Sequence, residues 1–283
     1  MSSKPLKILF AIAEAYPFIK VGGLADVGAS LPKALARLGH DVRLVLPGYS
    51  CVGAGRQIVS LEIPMGPETE LAHVDHHGVL GGVSVYAVGN ENFFDREAAY
   101  GGYEDDDVAP FVLFSKAVVA FAARSEWKPD VIHCNDWHLG LVPQYVRYGP
   151  DQAALGRTRT VLTIHNLAYQ GHFGPETGAL AGLEDGEGSM LARGIAFADA
   201  VNTVSRSYLE EILTVEHGMG MDGLLRSRMG DLYGILNGVD YEEFAPETDP
   251  YIAARYDGSF VEGKRRNKAV LQKLSGLEPN PDA

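Results

Sequence analysis

Five polar clusters in the sequence each follow directly on an apolar run: Glu14 to Gly23, Asn135 to His138, His165 to Tyr169, Ser205, and Asn237 to Asp240. They are rich in Lys, His, Asp and Asn, the side chains that neutralise anions, hold hydroxyl groups and move protons. The first contains Lys20-Val21-Gly22-Gly23-Leu24 at the opening of a helix. Two glycines let a ligand approach the backbone closely, a helix N-terminus offers unpaired N–H groups and a positive dipole end, and Lys20 adds a charge. That combination suits a phosphate, although a plain tight turn is the simpler account of an isolated Gly-Gly. A P-loop is excluded because Leu24, not Lys, follows Gly23. A dinucleotide fingerprint is disfavoured because the second strand ends Leu46-Pro47-Gly48 and its only acid, Asp41, stands at its start.

Two other groups carry weaker signals. Asp105-x-Asp107 has the spacing of a metal-binding Asp-x-Asp, but acids just before a helix are also favoured by its dipole. His73, His76 and His77 lie in a region of alternating strands without a cysteine or flanking ligand set. No metal is expected.

The elements that must position the clusters are legible from periodicity. Leu6 to Ala13 reads as a strand buried on both faces, and Leu24, Val27, Leu31, Leu35 and Leu38 mark a helix closed by Gly39. Val42 to Leu46 completes a βαβ unit, whose ligand crevice lies at the C-terminal strand ends. Gln57 to Val88 predicts two or three short hairpin-joined strands around Gly81-Gly82. Helices are expected over 108–124, 141–148 and 191–197, with strands over 130–134, 160–165, 200–204 and 232–236. Ser205 is placed to cap a further helix. The fold class is therefore α/β, a Rossmann-like parallel sheet flanked by helices. Residues 1–246 form one large domain, and 247–283 a Pro- and Gly-broken linker with one helix near 264–274.

Composition bounds the function. The 283 residues carry 24 Lys and Arg against 37 Asp and Glu, a net charge of −13, which disfavours a nucleic-acid partner. Two cysteines, Cys51 and Cys134, exclude a disulfide scaffold and fit a reducing cytoplasm. The apolar run Ile8 to Ala13 is too short for a signal peptide, and no stretch approaches a membrane span.

Taken together, Lys20-Val21-Gly22-Gly23-Leu24-Ala25-Asp26-Val27, His133-Cys134-Asn135-Asp136-Trp137-His138, Thr163-Ile164-His165-Asn166-Leu167-Ala168-Tyr169-Gln170-Gly171, Asn202-Thr203-Val204-Ser205 and Gly234-Ile235-Leu236-Asn237-Gly238-Val239-Asp240 resemble the bacterial glycogen synthase and plant starch synthase family. The resemblance runs from Lys7 to about Asp282. It implies the N-terminal, acceptor-side half of a GT-B glycosyltransferase that transfers glucose with retention from ADP-glucose to the non-reducing end of an α-1,4-glucan such as glycogen. ADP-glucose is then a substrate, and no cofactor or metal is required. By the same resemblance Lys20 and the amides of Gly22 and Gly23 meet the donor's phosphates, and Asp26 supports their loop. His165 and Asn237 hold the transferring glucose, the His165 carbonyl lies near the anomeric carbon, and Asp136, Trp137, Tyr100 and Asn166 shape the sugar subsite. Asp136 is the one plausible carboxylate in the crevice. The family's second, nucleotide-binding domain is expected to be missing, leaving the isolated chain weak in donor binding and inactive on glycogen.

Two competing readings differ in class. A non-catalytic glucan-binding or regulatory module is disfavoured by the retention of Lys20, Asp136 and His165. A nicotinamide dehydrogenase is disfavoured by the absence of an acid after the second strand.

Overall fold

The apolar run near the N-terminus forms β1 (Lys7–Ala11), with Ile8 through Ala11 buried, as a strand covered on both faces requires. The structure, a computed structural model, describes residues 4–100, 108–184, 186–259 and 261–282. The acidic Asp105-x-Asp107 pair lies outside the described residues. From β1 the chain enters α1 (Gly23–Arg37), whose first residue is the second loop glycine, and returns through β2 (Asp41–Pro47), which pairs parallel to β1.

The next three strands are longer than the sequence suggests. β3 (Arg56–Met65) and β4 (Glu68–Leu80) form an antiparallel hairpin, and β5 (Val83–Gly89) follows the Gly81-Gly82 turn. β4 runs 13 residues because a bulge between His76 and Val79 restores its alternation against β5. β5 also pairs parallel with β2, so the hairpin extends the parallel sheet rather than forming a separate layer.

α2 (Val108–Arg124) is apolar nearly all round and buried along most of its length, as such a helix must be. Then come β6 (Val131–Asn135), α3 (Val142–Tyr148), α4 (Gln152–Leu155) and β7 (Arg159–Ile164). A short ribbon of β8 (His172–Phe173) and β9 (Gly188–Ser189) encloses α5 (Pro175–Ala181) and leads into α6 (Met190–Phe197). β10 (Ala200–Thr203), α7 (Arg206–Ile212), α8 (Asp222–Ser227) and β11 (Leu232–Gly234) complete this part. Ser205 caps α7 by accepting from the Tyr208 amide. β11 stops at Gly234, two residues short of the expected strand, and Ile235 and Leu236 are exposed.

The sheet order is β11-β10-β7-β6-β1-β2-β5-β4-β3. From β1 the chain adds β2, places β3 at the outer edge, returns through β4 and β5 to pair with β2, then crosses over to add β6, β7, β10 and β11 on the other side. The reversal falls between β1 and β6, so a ligand crevice belongs beyond the C-terminal ends of those two strands.

The chain divides into two compact units, Met1–Asn237 and Gly238–Ala283. Within the smaller unit α9 (Glu262–Leu274) holds the preceding loop through Asn267, whose amide both donates to and accepts from the Ala254 backbone at 2.7 Å. Among the described residues no helix is long and apolar enough to cross a membrane.

The first turns of α1 lie hard against the end of β1. A Cβ built on Gly28 would sit 2.4 Å from the Glu14 carbonyl oxygen and 3.1 Å from Ala15 Cβ, whereas Gly23 has nothing within 4 Å. Gly28→Ala is therefore expected to lower stability by about 2–4 kcal/mol, and Gly23→Ala to leave it within about 0.5 kcal/mol. Chemical denaturation of the two variants checks this, and equal midpoints would contradict it.

Candidate active site

Beyond the end of β6 the backbone makes an unusual turn. Asp136 has φ 59° and ψ −174°, a region close to glycine-only, which costs of order 1–3 kcal/mol and persists only where its surroundings impose it. Three hydrogen bonds impose it here. The Asp136 amide donates to the Thr163 carbonyl at 2.8 Å, and its Oδ1 accepts from the amides of His165 at 2.9 Å and Asn166 at 3.3 Å. The carboxylate thus ties the end of β6 to the end of β7. It is buried, and desolvation pushes its pKa up to about 7 against the two amide bonds that favour the anion, with Glu14 adding like-charge repulsion.

His165 lies beside it. The Asn135 amide group donates to the carbonyls of Ala11 at 2.9 Å and His133 at 3.4 Å, which turns its Oδ1 toward His165 Nε2 at 3.0 Å. That oxygen can only accept, so His165 carries its proton on Nε2. Burial holds the imidazole neutral, its pKa lowered to about 4, and Nδ1 is left as an acceptor. His133 is fixed similarly. The Thr163 hydroxyl donates to Asn202 at 2.8 Å and therefore accepts from His133 Nε2 at 2.7 Å. His138 is buried and stacks on Trp137 with ring centres 4.1 Å apart and on Tyr100 at 5.4 Å, with Phe111 edge-on at 4.6 Å. Burial lowers the pKa of His133 to about 4 and of His138 to about 3. Trp137 in turn lies over Gly171, where a Cβ would come within 2.3 Å of the ring.

The glycine loop differs from its expected form in one respect. Glu14, just past β1, is 3% exposed, and its Oε2 accepts from the amides of Val21 at 2.7 Å and Gly22 at 3.0 Å. The Gly22 amide is therefore already taken by a carboxylate and does not face a phosphate. The Gly23 amide opens α1 with open space around its Cα. Lys20 pairs with Asp26 at 2.6 Å, with Lys20 46% and Asp26 34% exposed. Glu14 Oε1 accepts from the Tyr100 hydroxyl at 2.5 Å, which with burial raises the tyrosine's pKa.

Glu14 is thus a second carboxylate in the crevice, missed in the sequence, where Asp136 stands as the only one. The available signal was an acid seven and eight residues before Val21 and Gly22, whose amides in a turn ahead of a helix need an acceptor. Asn166 is exposed and its Oδ1 accepts from the Ala168 amide at 3.0 Å, shaping the loop after β7. Asn237 is exposed three residues beyond β11, at the same edge of the sheet. The sheet thus brings Lys20, Gly22, Gly23, Asp26, Asp136, Trp137, His165 and Asn166 to its C-terminal edge, with Tyr100 bonded to Glu14 there. His73, His76 and His77 stand on β4, and no group of three or more His, Cys, Asp or Glu among the described residues is arranged to hold a metal.

Comparison with known proteins agrees with this architecture. The family described as starch synthase catalytic domain matches residues 7–227. The chain belongs to that family. It is 43% identical over 285 residues to a glycogen synthase of Moorella thermoacetica, covering 96% of this chain and 58% of that protein. A glycogen synthase of Thermotoga maritima is 41% identical over 299 residues, covering 98% and 61%. Among solved structures, the catalytic domain of starch synthase IV from Arabidopsis thaliana bound to ADP and acarbose superposes with a TM-score of 0.86 at 31% identity, covering 97% of this chain and 60% of that one. The fold is accordingly the mostly parallel α/β sheet of a GT-B glycosyltransferase of this family. The chain spans about three-fifths of the length of these relatives.

Because the folded pKa of Asp136 is raised from 3.8 to about 7, the unfolded chain gives up this proton first as pH rises. The residue then costs stability progressively between about pH 4 and 7, at roughly 1.4 kcal/mol for each pH step of one across that window. Asp136→Asn keeps an acceptor for the two amides and removes the titration. Relative to the parent, it is expected to gain of order 2–4 kcal/mol between pH 4 and 8, read by denaturation at both ends. A pH-independent difference would overturn the assignment.

Proposed function

We propose that this chain carries the acceptor-side half of an ADP-glucose-dependent glucan 4-α-glucosyltransferase, a glycogen synthase. The observation that carries the reading is the meeting, at the β1/β6 switch point, of a lysine-bearing helix N-terminus with a neutral histidine and a buried aspartate. Glucosyl transfer builds negative charge on the departing diphosphate and positive charge on the sugar ring, and a catalyst must meet both. Lys20 and the Gly23 amide supply the first. Carboxylate and carbonyl oxygens supply the second. Relatives named glycogen synthase and a structural neighbour that binds ADP support the choice of donor and acceptor.

In this reading a hydroxyl of the transferring glucose donates to the free Nδ1 of His165, and the His165 carbonyl lies near the anomeric carbon. Asp136 fixes the His165 and Asn166 backbone, with Trp137 and Tyr100 walling the sugar subsite and Asn237 adding a hydroxyl contact. Gly22 and Asp26 serve the loop, Gly22 through Glu14 and Asp26 by orienting Lys20. Asp136 serves here as a positioning group, its Oδ1 holding the amides of His165 and Asn166. The adenosine contacts and further phosphate-binding cations come, in this proposal, from a second nucleotide-binding domain outside these 283 residues.

The test is transfer of labelled glucose from ADP-glucose to glycogen, by this chain alone and by a chain extended to the relatives' length. The extended chain is expected to elongate glycogen, and the isolated one to bind ADP weakly without turnover. Lys20→Ala should weaken ADP binding about tenfold, the loss of one charge-assisted contact. Glycogen co-sedimentation without transfer by the extended chain would favour the glucan-binding module instead.

A further inference from the structure

Glu14 is one of two buried carboxylates among the described residues, the other being Asp136, and the geometry of Glu14 is specific. It accepts three hydrogen bonds from two separate segments. Oε2 takes the Val21 and Gly22 amides at 2.7 and 3.0 Å, and Oε1 takes the Tyr100 hydroxyl at 2.5 Å. The two segments lie far apart in sequence, and the side chain joining them is 3% exposed, so water does not compete for these bonds. Its backbone is clamped as well, since the Glu14 carbonyl is the atom against which Gly28 of α1 packs.

We propose that Glu14 is a positioning residue that sets the Lys20–Gly23 loop and Tyr100 as a single unit, so that the donor's phosphate end and sugar end are held in fixed relation. The proposal rests on the donor reading above. A loop whose amides already have fixed acceptors loses little freedom when a ligand arrives. The Val21 and Gly22 N–H groups point inward to Glu14. That leaves the Gly23 amide and the Lys20 ammonium, the latter paired with Asp26 at 2.6 Å, as the loop's groups for an arriving anion. Tyr100 stacks on His138, which stacks on Trp137, so the same carboxylate also orients one wall of the sugar subsite. Removing the negative charge of Glu14 would also ease the repulsion on Asp136.

Three variants separate the parts. Glu14→Ala removes the whole clasp. Glu14→Gln keeps an oxygen for the two amides and turns its NH2 toward the Tyr100 hydroxyl, which then accepts. Tyr100→Phe cuts one limb alone. Amide hydrogen exchange of the segment 15–24 in the intact chain is expected to speed up at least about tenfold in Glu14→Ala and to stay within about threefold in Glu14→Gln. In the chain extended to the relatives' length, Glu14→Ala should raise KM for ADP-glucose and lower kcat, leaving KM for glycogen unchanged, with Glu14→Gln restoring most of the loss. The acid limb of the Glu14→Gln pH profile should move to lower pH, as Asp136 loses its charged neighbour. Unchanged exchange in Glu14→Ala, or a loss that tracks stability and affects both substrates equally, would overturn the proposal. If the extended chain with Glu14 intact neither binds nor uses ADP-glucose, the functional reading fails, while the exchange experiment still decides whether the clasp exists.

Discussion

A carboxylate taken out of water must find hydrogen-bond donors inside the protein, and here two of them find backbone amides at the same sheet edge. Glu14 takes those of Val21 and Gly22, and Asp136 takes those of His165 and Asn166. Glu14 stands just beyond β1 and pins the loop that follows the same strand, whereas Asp136 stands just beyond β6 and pins the loop after β7. The loops after β1 and β7 therefore have little conformational freedom of their own. The two anions are also close enough to repel, which adds to the burial that lifts Asp136 toward pKa 7. Two amides on each oxygen offset that cost, so the loops and the acids hold one another in place.

The rest of the fold serves this arrangement. The sheet reverses direction between β1 and β6, and the reversal opens the crevice in which both acids stand. α2, buried along most of its length, carries Phe111 against Trp137 and His138, so the aromatic wall rests on the core rather than on a loop. A chain of side chains from His133 through Thr163 to Asn202 crosses three adjacent strands and fixes a proton position at each step. Such a chain lets the neutral His133 imidazole be buried with its Nε2–H satisfied.

The framework was legible in the sequence because burial on both faces leaves uninterrupted apolar runs, as in Ile8 to Ala13 and Val42 to Leu46. Asn135-Asp136-Trp137-His138 was legible for the same reason, since a polar cluster directly after such a run stands at a strand's C-terminal end, where a crevice belongs. Glu14 was not. A lone acid at the end of a strand reads as a terminator, and its partner Tyr100 lies 86 positions away, a distance no local pattern spans. The positive φ of Asp136 was hidden too, because aspartate carries no mark of it without the amides that impose it. β4 ran longer than expected because its bulge is a pairing feature, set by β5 and not by its own residues.

In a chain of net charge −13, the proposed phosphate site depends on two kinds of acid contact that behave differently. Asp26 meets Lys20 where both side chains are partly in water, so the pair is worth little and is easily exchanged for another anion. Glu14 meets its amides where water is excluded, so those bonds do not exchange. An arriving diphosphate can displace the first carboxylate from Lys20 but not the second from the loop. The lysine is the adjustable element and the backbone beneath it the rigid one. In the proposed reading that division lets an acidic protein keep its single loop cation neutralised at rest while holding the surrounding amides in a fixed geometry.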